Sequence, residues 1–174
     1  IKQLSLTDAI LGDIADANYL QDVTENDNNA TQPTIPTSSV NESTLQRANY
    51  LKSLGLFVGD ESGFRLQDSM TRIEMGVMVM RMNDGLASLQ KNGAYYASLC
   101  PFYDVPQWAK SSIGFLYDKH LVSGQSDTIF GTGVVSKRDY AVMMLRVLGI
   151  EHSYQDALAI AVTHGILTET QASN

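Results

Sequence analysis

The stretch Thr71-Arg72-Ile73-Glu74-Met75-Gly76-Val77-Met78-Val79-Met80-Arg81-Met82 (residues 71–82) decides the fold, because the chain writes it twice. At an offset of 65 it lies over Ser136-Lys137-Arg138-Asp139-Tyr140-Ala141-Val142-Met143-Met144-Leu145-Arg146-Val147. Thr71 meets Ser136, Arg72 meets Lys137 and Glu74 meets Asp139, while Val77, Met78 and Arg81 meet the identical Val142, Met143 and Arg146. The same offset sets LKSLGLFVG (51–59) over LYDKHLVSG (116–124). One offset that holds across two separate elements marks an internal repeat. A third copy of the first element stands at YQDALAIAVTHGI (154–166), and its partner helix should follow Leu167. The array expected is two repeats and a half, which leaves the apolar side of Leu158, Ala161, Val162 and Ile166 without a partner helix.

Each unit reads as a helix, a short turn ending in glycine, a loop and a second helix. Gly59 and Gly124 occupy turns that need a positive φ or a close backbone approach. Phe64 and Phe130, in the connecting loops, should plug the space between the helices. The methionine-rich run 75–82, with Val77 and Val79 interleaved at helical spacing, reads as buried core. No apolar/polar alternation lasts long enough for a strand, so the fold class is all-α. Upstream, Leu6, Ile10, Ile14 and Ala17 are spaced for an amphipathic helix within residues 1–20. Residues 21–43 are rich in Asn, Thr, Ser, Asp and Pro and read as a flexible linker. The repeat domain then occupies 44–174, with units at about 44–90, 101–149 and 153–174. The N-terminal helix is expected to dock through Ile10 and Ile14 on residues 157–167 and complete the third unit. A domain-swapped version would make that contact between chains and give a homo-oligomer.

Composition removes several classes of function. The net charge of −7 repels phosphate backbones and argues against nucleic acid. No apolar run approaches the roughly 18 residues of a membrane span, so no membrane insertion is expected. A single cysteine, Cys100, excludes an internal disulfide framework and a Cys-based zinc site. His120, His152 and His164 share no metal-ligand spacing, the acidic run 22–27 lacks the glycine and closing glutamate of a calcium loop, and no nucleophile, P-loop or dinucleotide motif is present. No catalytic residue, metal or cofactor is expected.

Thr71-Arg72-Ile73-Glu74 is a capping box: the Thr hydroxyl accepts from the Glu74 N–H and the Glu carboxylate reaches back to the Thr71 N–H. Ser136 and Asp139 keep that chemistry with shorter side chains. Capping has no use for the cations Arg72 and Lys137, which sit in the first turn and oppose the helix dipole. A helix N-terminus carrying an arginine suits a bound anion such as a carboxylate; lysine offers no bidentate fork. Asp104, just before Pro106, reads as a helix N-cap. Trp108, the only tryptophan, suits either core packing or a sugar-stacking face.

Residues 101–149 resemble, from end to end, a repeat of the S-layer homology (SLH) family. They carry the opening F-x-D-V…W-A as Phe102, Asp104, Val105, Trp108 and Ala109, the L-V-S-G turn, Phe130 in the loop and the degenerate S-K-R-D helix. The first unit matches in its second half, through LGLFVGDESGF and the intact T-R-I-E, and lacks the opening motif; the third matches in its first helix. The resemblance spans roughly residues 44–167. It implies a pseudo-threefold, trefoil-like helical domain that binds anionic, pyruvylated secondary cell-wall polysaccharide and tethers a protein to a Gram-positive envelope. That would be an extracellular, non-enzymatic anchor of the cell wall or S-layer. Arg72, Lys137, Asp104 and Trp108 are the carbohydrate-binding residues expected on that basis. The alternative is an SLH-fold structural or protein-interaction module that has lost the sugar site.

Overall fold

A computed structural model describes residues 42–59 and 63–173. The N-terminal helix, most of the expected linker and their docking on the third unit lie outside those residues. Among the described residues seven helices follow in order: α1 Glu42–Ser53, α2 Arg72–Met82, α3 Gly85–Leu99, α4 Gln107–Asp118, α5 Lys137–Val147, α6 Ala157–Thr163 and α7 Glu169–Ser173. Among the described residues there is no strand; Thr71 and Val134 pair in an isolated bridge, and the class is all-α.

The offset of 65 returns in the helix bounds: α1 maps onto α4 and α2 onto α5 at both ends. It returns again in how the first helices stop. Gly55, His120 and Gly165 each adopt a left-handed φ, of 71°, 57° and 70°. Each donates its N–H back to the second-last helical carbonyl, and the next residue bonds one position deeper: Leu56 to Leu51, Leu121 to Leu116, Ile166 to Ala161. This is the left-handed C-terminal cap, written once at the end of each of these three helices; Gly149, with φ 66°, ends α5 in the same way, its N–H on the Arg146 carbonyl and the Ile150 N–H on that of Leu145.

The core gathers where α4 meets α2 and α3. Ile113, Leu116, Met75, Val79, Phe102, Phe130 and Met143 are almost wholly buried there. Backbones come close on α4: a Cβ on Gly114 would lie 1.8 Å from the Tyr96 carbonyl oxygen of α3. Helix α3 has no place in the repeat and was not expected as an element. It bends at Asn92, whose φ of −134° breaks the helical run, and it packs through Leu89 and Tyr96.

Three expectations need correction. Within the methionine run, Met75, Val79 and Met80 are buried, but Val77 and Met78 are only half-buried and line a groove. Of their counterparts, Val142 is buried against α6 and Met143 lies in the main core with Met75, Ile113 and Phe130. The third unit is not left bare either: Ala157 and Ala161 are fully buried against Ala141, Val142 and Leu145, with Leu158 and Ile166 around them. The short α7 follows at once, its start held by a reciprocal cap in which Thr168 N–H donates to Gln171 Oε1 and Gln171 N–H to Thr168 Oγ1. Finally, Phe130 is a buried plug, whereas Phe64 is half-buried and stacks on Phe57 with centroids 5.3 Å apart.

Candidate functional site

The site begins at the cap of α2. Thr71 Oγ1 accepts from Glu74 N–H at 3.2 Å, and Glu74 Oε2 accepts from Thr71 N–H at 2.8 Å. The cap is pinned to a distant loop, with Arg72 N–H donating to Gly133 and Val135 N–H to Met70. These bonds aim Arg72 away from solvent, and the residue is 7% exposed. Its guanidinium lies over the Phe130 ring at 4.3 Å and donates to the carbonyls of Phe130 and, at 3.0 Å, Ser123. Nε is 3.7 Å from Asp139 Oδ2 and makes no hydrogen bond. Burial pushes the guanidinium pKa down, and the Asp139 carboxylate pulls it back up. The first-turn cation is therefore a latch between two units as well as a groove wall.

Beside it opens a groove of about 340 Å³ lined by Arg72, Ser123, Gly124, Gln125, Asp139, Arg146 and Tyr154, among others. Asp139 is positioned by the α5 cap: Ser136 Oγ accepts from Asp139 N–H at 3.0 Å and donates to its carboxylate at 2.8 Å. Arg146 reaches across the groove and, among the described residues, holds Ser123 Oγ alone, at 3.3 and 3.4 Å, which leaves its guanidinium lightly engaged. Burial lowers its pKa also. Tyr154 is half exposed at the rim, with Arg138 stacked 5.4 Å from its centroid. Gly124 keeps the floor tight, since a Cβ there would meet the carbonyls of Ser126 and Ile129 within 2.5 Å.

A second groove, of about 560 Å³, repeats this lining 65 residues earlier. Phe57, Val58 and Gly59 stand for Val122, Ser123 and Gly124; Glu74, Val77, Met78 and Arg81 stand for Asp139, Val142, Met143 and Arg146. In place of Arg72 the second groove has Arg65, and it has Trp108 on its rim.

The four expected sugar ligands therefore do not converge. Arg72 lines the Arg146 groove and Trp108 the Arg81 groove. Trp108 is 63% exposed, so it is not a core residue. Asp104 does not cap α4, whose N-cap is Pro106 without a side-chain bond. Its two oxygens instead accept from the Phe130 and Gly131 N–H groups, each at 2.8 Å, which fixes the loop that Arg72 grips. Lys137 is exposed on the first turn of α5 and lines neither groove. Arg146, Gln125 and Tyr154 escaped the sequence reading as ligands. For Arg146 a signal existed, because its identity with Arg81 is one of three exact matches between residues 71–82 and 136–147; for Tyr154 and Gln125 nothing marked them.

Among the described residues no helix is long and apolar enough to cross a membrane. The chain matches no family model, no curated protein and no solved structure.

Proposed function

We propose that the chain is a non-catalytic anchoring module of the S-layer homology type, with tandem helix–loop–helix units in a trefoil-like arrangement. In this reading it works outside the cell and binds anionic, pyruvylated secondary cell-wall polysaccharide in the Arg146 groove. The observation that carries the reading is the groove's composition. Two guanidiniums face one carboxylate, beside an amide and an aromatic rim. A pyruvyl carboxylate needs a charged donor that is not already saturated, and Arg146 is that donor; Gln125 suits ring hydroxyls and Tyr154 a sugar face. Arg72 supplies field and shape, its own N–H groups being largely spent on carbonyls.

The test is sedimentation of the chain with purified sacculi, before and after chemical removal of pyruvyl groups. Arg146→Ala loses a charge-assisted bond, so sacculus binding should weaken roughly 10- to 100-fold with the thermal midpoint nearly unchanged. Unaltered binding by Arg146→Ala rejects the groove. The engagement of Arg72 by two backbone carbonyls favours a second reading, a structural or protein-interaction module without a sugar site. Wild-type protein that ignores sacculi altogether selects it.

A further inference from the structure

Helix α2 turns a stripe of Glu74, Val77, Met78 and Arg81 toward the Arg81 groove, at helical spacing and about 10 Å long. At the Glu74 end charge is settled, because Arg65 pairs with Asp68 at 3.3 Å and with Glu74. At the other end it is not. Among the described residues Arg81 forms no ion pair, and its one hydrogen bond runs from Nη1 to the Leu56 carbonyl at 3.4 Å. Its Nε is buried without a hydrogen bond. A guanidinium held in that way keeps donors for an incoming anion, and its planar fork matches a carboxylate. The walls beside it are apolar. Phe57, Val77 and Met78 are half-buried there, and Val58, 45% exposed, takes the place of Ser123, so the hydroxyl that engages Arg146 has no counterpart. Leu56 and Phe57 both donate their N–H groups to the Leu51 carbonyl, whereas no backbone bond among the described residues engages Val58.

We infer that the Arg81 groove docks the C-terminal end of a partner protein, an extended segment whose last residue is apolar. The terminal carboxylate lies on the Arg81 guanidinium and the last side chain on Val77 and Met78. The peptide backbone runs back toward Glu74 along the open edge of loop 56–59. Three extended residues cover about 10 Å, which is the length of the stripe. A glycan acid on Arg81 would instead set its ring hydroxyls against Phe57, Val77 and Met78, whose side chains offer no hydrogen-bond partner of comparable strength. The two grooves share no lining residue, so this docking site does not rest on the function proposed above.

The full chain is titrated calorimetrically with three peptides: acetyl-Ser-Ala-Leu with a free carboxylate, the same peptide as its C-terminal amide, and acetyl-Ser-Ala-Gly with a free carboxylate. Wild type and Arg146→Ala should bind the first alike. The amide should bind wild type roughly 10- to 100-fold more weakly, since the charge-assisted bonds to Arg81 are lost. The glycine peptide should lose about tenfold, because it buries no terminal side chain on the apolar floor. Arg81→Gln should bind the acid and the amide equally, and weakly. The acid-against-amide comparison needs wild type alone, so it decides even where Arg81→Gln folds poorly. Equal affinity for acid and amide in wild type overturns the inference, as does failure of the acid peptide to bind, or binding lost in Arg146→Ala. Displacement of the peptide from Arg146→Ala by pyruvylated polysaccharide also overturns it, by assigning the groove to the glycan.

Discussion

A cation in the first turn of a helix opposes the macrodipole by roughly 0.3–1 kcal/mol, and Arg72 bears that cost while spanning two units. Its carbonyl partners on Phe130 and Ser123 would be stranded by truncation. An unsatisfied buried polar group costs about 1–3 kcal/mol. Arg72→Ala should therefore lower stability by at least that amount in urea unfolding, and Arg72→Lys should recover only part because it lacks the fork. A variant as stable as wild type would mean that the latch contributes nothing. Glu74 behaves differently. Burial alone would raise its carboxyl pKa, but the Thr71 backbone and hydroxyl bonds, with Arg65, carry it below the ordinary value. A carboxyl depressed in the folded state stabilises fully above its unfolded pKa of about 4.3 and loses that contribution as pH falls through the folded pKa. In thermal scans wild type should be more stable than Glu74→Gln at pH 6, and the gap should shrink steadily as pH falls below the unfolded value of about 4.3. A gap as large at pH 3 as at pH 6 contradicts this account of the cap.

Helix ends carry the repeat as plainly as the helices do. Of the left-handed caps that end α1, α4 and α6, two use glycine, which carries no steric cost, whereas His120 holds φ 57° with a side chain. Left-handed backbone costs a non-glycine residue roughly 1–2 kcal/mol, partly offset by glycine's greater freedom when unfolded. His120→Gly should stabilise by about 0.5–1 kcal/mol, raising the thermal midpoint by a few degrees. A lowered midpoint would show that the imidazole makes a contact worth more than the strain. The helices α1, α2, α4 and α5 were legible from the offset and from apolar spacing, and the α2 cap from Thr71 and Glu74. Helix α3 was not, because it belongs to no repeat and its packing rests on close approach at Gly114 rather than on a wide apolar stripe. The half-exposure of Val77 and Met78 was hidden for a related reason. Identical residues in two repeats meet different neighbours, and only tertiary contact decides which pair is covered.

At the scale of the whole molecule, the paired helices bring loop 122–125 against α5 and loop 56–59 against α2, and each junction leaves a groove. Sequence spacing named Arg72 and Trp108 but could not assign them to different grooves, since that depends on which unit's cap reaches which unit's loop. It took Asp104 for a cap because the residue precedes Pro106; its carboxylate instead reaches N–H groups 26 and 27 positions away. Long-range hydrogen bonds of that kind leave no local pattern. The central claim is that the Arg146 groove recognises the negative charge of the glycan. Isothermal titration of the chain with polysaccharide released from pyruvylated sacculi, and with the same material after depyruvylation, tests it most directly. The account predicts a binding event that disappears on depyruvylation and weakens roughly 10- to 100-fold in Arg146→Ala; equal affinity for both polysaccharides, indifferent to Arg146, would contradict it.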